Sequence, residues 1–169
     1  MITHGSPPCV FLNMKVKLIQ IGKTHFDFVD EGFAVFANRL KHYCKFESLI
    51  LELPTKLKSS DPDKIKKLEG QMLEKVITQH DYLILLDENG KEYSSEQFAH
   101  FMQKQFNHHP ALVFVIGGAY GFDAMIYERA DAKVSLSQMT FSHQLIRLIF
   151  AEQLYRAFTI MKGEPYHHA

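Results

Sequence analysis

Apolar and polar positions change their period several times along the chain, and each change marks an element. Residues 15–22, KVKLIQIG, alternate Lys15 and Lys17 with Val16 and Leu18 before Gly22, which predicts a strand followed by a loop. Over 26–43, Phe26, Val29, Phe33, Phe36, Ala37 and Leu40 recur at helical spacing. Residues 46–54 read as a second strand stopped by Pro54, followed by a basic loop with Ser and Pro at 55–64 and a helix from about Pro62 to Gln79. Two short apolar runs, 81–90 (DYLILLDENG, closing in an Asn-Gly turn) and 111–118 (ALVFVIGG), have the pattern of strands buried on both faces. Between them, 94–106 is a helix opened by a Ser cap and a glutamate in its first turn. A short helix near 122–130 leads into a strand at 133–137. The last helix, about 142–162, is apolar around most of its circumference, so it must be buried in a core or between subunits.

Strands alternating with helices predict an α/β fold, a mainly parallel sheet flanked by helices. There is no internal repeat and no sign of a second domain; the loop at 55–64 is too short to separate two cores. Residues 1–13 carry Gly5, Pro7 and Pro8 and precede a second methionine, Met14. We expect them to be an extension outside the fold, with 14–169 as one domain.

Composition narrows the class. Of 169 residues, 46% are hydrophobic and 22% charged, which fits a chain with a real core rather than a disordered one. Basic and acidic residues number 19 each. A net charge of zero forces no nucleic-acid partner and excludes none, because charge can be local or shared between subunits. The ten histidines are scattered, and Cys9 and Cys44 lie far apart, so neither a zinc signature nor a disulfide framework is present and no metal is expected. Unpaired cysteines point to a reducing, cytoplasmic setting. No stretch has the length and apolarity of a membrane span, and the first 13 residues lack the features of a signal peptide.

Ligands of open parallel sheets bind at the carboxyl ends of the strands. Three such ends stand out: Leu86 to Gly90, Ile116 to Gly121, and Leu136 to Phe141. Gly117, Gly118 and Gly121 form GGxxG, which is neither a dinucleotide fingerprint nor a Walker loop. They permit close approach of a ligand to the backbone, or simply a tight strand-to-helix turn; both readings stand. The run Leu136, Ser137, Gln138, Met139, Thr140, Phe141 offers main-chain groups to an adenine edge and apolar side chains to its faces, or it only leads into the last helix. Asp87 and Glu88 are adjacent strand residues on opposite faces, so they read as a solvated turn rather than an acid pair. His143 and Arg147, four apart, share a helix face. An arginine on an apolar helix needs a partner, which we expect to be a carboxylate across a subunit contact. Glu152 and Arg156 are placed for a structural i,i+4 ion pair. The end of the chain, KGEPYHHA, is either a frayed tail or a segment that Gly163 and Pro165 redirect toward a working site.

The combination of MKVKLIQIGK at 14–23, IGGAYGF at 116–122, LSQMTFSHQLIRLIFAEQLYRA at 136–157 and PYHH at 165–168 resembles the ribosomal RNA large subunit methyltransferase H family, a group of SPOUT-class enzymes. The resemblance covers residues 14–169, and its specificity lies in the combination of motifs. It implies an α/β fold with a C-terminal trefoil knot, a homodimer with active sites completed at the subunit interface, and methylation of N3 of a pseudouridine in 23S rRNA, with the assembled ribosome as substrate. The implied cofactor is S-adenosyl-L-methionine, at Leu86, Gly117, Leu136, Ser137, Gln138, Met139, Thr140 and Phe141. The implied catalytic group is His167 with Tyr166, which position the base and accept the N3 proton; His143 is the alternative base and Arg147 a stabiliser of the uracil-like oxyanion. Relatives often have Pro at Ser142, where a serine can cap instead, and a charged residue after the Tyr-His, where this chain has His168. Lys56, Lys58, Lys64, Lys66 and Lys67 offer local positive charge to RNA, or are a solvated face. Two competing functions are a SPOUT enzyme acting on tRNA and a non-catalytic cofactor- or ribosome-binding module.

Overall fold

The period-two alternation expected of parallel strands buried on both faces decides how the core divides. In the computed structural model, which describes residues 13–57 and 61–167, five parallel strands form one sheet. They are β1 (Lys15–Ile21), β2 (Lys45–Leu51), β3 (Tyr82–Glu92), β4 (Ala111–Ile116) and β5 (Ala132–Ser135), in the order β2-β1-β4-β3-β5. The helices are α1 (Asp27–Leu40), α2 (Pro62–Glu74), α3 (Ser95–Phe106), α4 (Ala124–Arg129) and α5 (Leu145–Lys162), with a short 3₁₀ turn at Thr55–Leu57.

Alternate strand residues feed two apolar layers. Val16, Leu18, Ile84, Phe114 and Ile116 point to one face, where Leu40 of α1, Met102 of α3 and Phe150, Leu154 and Phe158 of α5 cover them. Ile19, Leu83, Leu85, Val113 and Val115 point to the other, under Leu73 of α2 and Ile126 of α4. Each such side chain, removed from water, stabilises the fold by about 1.5–3 kcal/mol. The α/β class and the parallel sheet follow the sequence reading.

Several element ends differ from expectation: α1 stops at Leu40, β2 at Leu51 and β5 at Ser135, each short of the expected end, and three further ends have a visible cause. Helix α2 stops at Glu74 rather than Gln79. Val76 and Ile77 turn inward onto the second layer, and the Val76 carbonyl accepts from Lys17 Nζ at 3.1 Å instead of continuing a helix. Strand β3 does not end in an Asn-Gly turn. It bulges between Leu86 and Lys91, then pairs again with β5 through Lys91–Val134 and Glu92–Ser135. Asp87 closes the bulge by accepting from the Asn89 amide at 2.8 Å, and Gly90 lies so close to Val134 that a Cβ there would meet its backbone at 2.6 Å. Helix α5 begins at Leu145, later than the expected 142; Ser142 Oγ accepts from the Leu145 amide at 3.2 Å, as a capping serine does. The expected cap of α3 is present at Ser94, with Gln97 completing a capping box. Of the expected extension at 1–13, residues 1–12 lie outside the described residues, as do Lys58, His168 and Ala169.

Candidate active site at the carboxyl ends of the strands

The carboxyl ends of β3, β4 and β5 are neighbours, and their loops enclose a cleft of about 550 Å³. All three segments singled out in the sequence line it: Leu86 to Asn89, Ile116 to Phe122, and Leu136 to Phe141 except for Gln138, whose side chain instead donates to Glu92 at 3.3 Å. Leu86, Ile116, Leu136 and Ile146 give apolar walls, while Met139, 77% exposed, stands on the rim.

Local bonds hold the walls. Ser135 Oγ donates to the Ser137 carbonyl at 2.9 Å, and Ser137 Oγ accepts from the Met139 amide at 2.9 Å, so both serines help to shape the 136–141 loop. Thr140 Oγ1 ties that loop to Glu88 at 3.3 Å. In the glycine loop only Gly121 has a positive φ, +78°, the conformation a side chain rarely adopts. Gly117 and Gly118 are glycines for a different reason: the protein's own groups press on them from behind. A Cβ on Gly117 would lie 3.1 Å from the Phe122 ring, and one on Gly118 would lie 2.6 Å from Glu69 Oε1.

Asp87 differs from the solvated turn expected for it. It is half-buried on the cleft wall and accepts a hydrogen bond from Tyr127 Oη of α4 at 2.5 Å. Burial and this carboxylate push the Tyr127 phenol up to about 12, so it stays a donor. Two residues were missed in the sequence. Tyr127 left no signal. Glu69 did: Ile65, Glu69 and Leu73 are spaced by four, which puts an acid in the apolar stripe of α2.

His143 lines the cleft, half-buried. Burial first, then the charge of Arg147 and His25, holds its imidazole below the ordinary value, so it is neutral near pH 7 and able to accept a proton. Arg147 is not in the cleft lining. It is 1% exposed, and its partner is not the expected carboxylate. Nε donates to the His143 carbonyl at 3.1 Å, Nη1 to Thr24 Oγ1 at 2.9 Å, and Nη2 to the carbonyls of Ile21 and Gly22 at 2.8 Å each. Three of these four bonds pin the end of β1 and the loop after it, and the fourth holds the turn at His143.

The tail makes a second cluster, and neither Tyr166 nor His167 lines the cleft of its own chain. Gly163 caps α5 in a left-handed conformation at φ 66°, turning the chain back along the helix. Tyr166 packs edge-on to Tyr155 at 4.8 Å, lies under the Arg156 guanidinium at 4.9 Å, and donates to Glu152 at 3.1 Å. Glu152 and Arg156 form the expected ion pair, at 2.5 Å. His167 bridges Arg156 at 3.4 Å and Glu96 of α3 at 2.5 Å. A main-chain hydrogen bond at the start of α3, then His167 and Ser94, holds the Glu96 carboxyl down at about 2. Among the lysines, Lys66 pairs with Asp63 at 2.8 Å, whereas Lys56, Lys64 and Lys67 are exposed. Among the described residues, no group of three or more His, Cys, Asp or Glu side chains could hold a metal, and no helix is long and apolar enough to cross a membrane.

Comparison with known proteins places relatives beside this chain over nearly its whole length. A family model described as "Predicted SPOUT methyltransferase" matches residues 14–167. A protein of Christiangramia forsetii named "Ribosomal RNA large subunit methyltransferase H" is 49% identical over 156 residues, covering 92% of this chain and 99% of its own length. Proteins of the same name from Parabacteroides distasonis and Cytophaga hutchinsonii are each 47% identical over 156 residues, covering 92% of this chain and 99% and 100% of their own lengths.

Proposed function

This chain belongs to the SPOUT methyltransferase family, and on that premise we propose that it transfers a methyl group from S-adenosyl-L-methionine to N3 of a pseudouridine in 23S rRNA on the assembled ribosome. The observation that carries the reading is the cleft itself: three loops, all within the span that the family model matches, meet at the ends of neighbouring strands, with apolar surface from Leu86, Leu136 and Ile146 and a histidine on the wall.

The cleft fits this cofactor. Leu86, Leu136 and Ile146 offer apolar surface to a purine, and main-chain groups of the 136–141 loop are placed to read a base edge. Leu86, Gly117, Leu136, Ser137, Met139, Thr140 and Phe141 would hold it, with Gln138 at the edge. Bound there, the sulfonium supplies an already activated methyl group and needs no metal.

The chain's own residues have two tasks: to align the N3 nucleophile with the methyl and to take the N3 proton. His143 is neutral and on the cleft wall, which suits it to accept that proton. Arg147 acts as a positioning residue: it sets the loop at Ile21–Thr24 beside His143, whose neighbour Gln144 accepts from the His25 amide at 2.8 Å. His167 and Tyr166 lie outside the cleft of their own chain, so their role requires a second copy, with the tail of one subunit completing the site of the other. A homodimer is supported by α1, where Phe28 and Val35 are seven residues apart and 60% and 48% exposed. We extend the proposal to a trefoil knot in the C-terminal half and to action in the cytoplasm, where ribosomes are.

Methyl transfer to ribosomes lacking the modification tests the reading, with calorimetric binding of S-adenosylmethionine alongside. Transfer to ribosomes supports it. Transfer to isolated tRNA alone makes this a tRNA enzyme, and binding without transfer to either makes it a cofactor-binding module.

A further inference from the structure

Glu69 is a buried acid that the reaction above does not use. It sits on α2, 8% exposed, and its Oε2 has no hydrogen-bond partner and no contact with solvent. Its two carboxyl oxygens lie 2.6 and 2.7 Å from where a Cβ on Gly118 would be, so the carboxyl packs directly behind the loop that walls the cleft.

The surroundings do not compensate a negative charge. The loop at 117–121 carries no ionisable group but Tyr120, and the sheet face below is apolar, with Leu83, Leu85 and Val115. At the start of α4, Asp123 lies against Gly70, next along α2. Lys66, three residues earlier on α2, is committed to Asp63 at 2.8 Å. A carboxylate here has no counter-ion and one oxygen sealed from water, and burial pushes its pKa up to about 7, while Oε1 keeps the way to solvent that a proton needs. The acid is therefore poised to respond to any charge that arrives on the other side of Gly118.

We infer that Glu69 is a proton-linked positioning residue of the cleft: its carboxyl sheds a proton to solvent when a cationic ligand binds across Gly118, and the carboxylate then favours the charged methyl donor over its uncharged thioether product. The inference rests on the cofactor reading above. A positive charge nearby in a low-dielectric wall lowers an acid's pKa, and by linkage the donor must then bind more tightly as pH rises. His143 responds with the same sign, since a cation would also disfavour its protonated form, so the two groups need to be separated experimentally.

Calorimetry of the full chain at pH 7, in buffers of different ionisation enthalpy, counts the protons released on binding S-adenosylmethionine or S-adenosylhomocysteine. Wild type is expected to release up to roughly half a proton with the donor, since an acid with a pKa near 7 is half protonated there, and less with the product. Glu69→Gln is expected to release far less than wild type and to lose several-fold of the donor-over-product preference at pH 8, while His143→Gln binds both ligands more weakly, as a cleft-wall variant should, but keeps most of the wild-type proton release and the donor-over-product preference. Equal release by Glu69→Gln and wild type, or donor binding by wild type with no release, overturns the inference. If Glu69→Gln does not fold, the His143→Gln protein still decides: its release must persist, be greatest below pH 7 and fade as pH rises above 7. A wild-type chain that binds neither ligand overturns the cofactor reading, and this inference with it.

Discussion

Arg147, in the first turn of α5, donates to the main-chain carbonyl of Gly22 just after β1, 2.8 Å away and 125 residues distant in sequence. The same side chain also takes the Ile21 and His143 carbonyls and the Thr24 hydroxyl. One buried cation therefore fastens the start of α5, and the turn before it that carries His143, to the loop after β1. Arg147→Met should leave these acceptors unpaired and cost about 3 kcal/mol or more in urea unfolding. Arg147→Lys should recover only part of this, because an ammonium cannot span four acceptors in the guanidinium's fork.

Gly118 and Glu69 are predicted to be coupled. Gly118→Ala places a methyl 2.6 Å from a carboxyl oxygen, so the loop must move and binding of S-adenosylmethionine should weaken at least tenfold. Removing the carboxyl with Glu69→Ala makes room, so the double variant should bind better than Gly118→Ala alone. Additive losses in a double-mutant cycle would count against direct contact.

Glu69 also predicts how stability depends on pH. Its folded pKa is raised from 4.5 to about 7 by burial, so its contribution is present below its unfolded value and is lost as pH rises through about 7. Wild type should therefore lose on the order of 2 kcal/mol relative to Glu69→Gln between pH 4.5 and 8. Parallel unfolding curves for the two proteins across that range would show the carboxyl to be solvated.

His167→Ala and His143→Ala should separate by readout. His143 lines the cleft, so its variant should disturb both cofactor binding and transfer. His167 contacts Glu96 and Arg156 instead, so its variant should bind S-adenosylmethionine within about twofold of wild type and lose transfer by about 10²-fold or more. Full turnover in His167→Ala would remove the tail from the reaction.

Cys44 is 2% exposed, and burial pushes its thiol up to about 12. In a Cys9→Ser background it should react with a thiol reagent only as fast as the protein unfolds. Rapid modification at pH 8 would mean that the layer beneath α1 opens readily.

The sheet and the three cleft loops were legible because they rest on local pattern. Apolar runs such as 111–116 announce buried parallel strands, and the carboxyl ends of parallel strands are where ligands bind. What the pattern misread, it misread for tertiary reasons. The Asn89-Gly90 pair looks like a turn, yet the strand resumes at Lys91 because Val134 of β5 is there to pair with it. Helix α2 ends early where Val76 and Ile77 pack into the second layer, and the Val76 carbonyl is taken by Lys17, 59 residues away.

By itself, then, the amino-acid sequence determined the α/β class, the segments that form the cleft and the family to which the chain belongs, since periodicity and motifs are properties of neighbouring residues. Only the tertiary structure decided what each polar side chain is for. Arg147 meets carbonyls rather than a carboxylate, Asp87 holds Tyr127, Glu69 stands unpaired behind Gly118, and His167 lies on Glu96 away from its own cleft. The role of a charged group depends on which partners and how much water surround it, and those are set by residues tens of positions away.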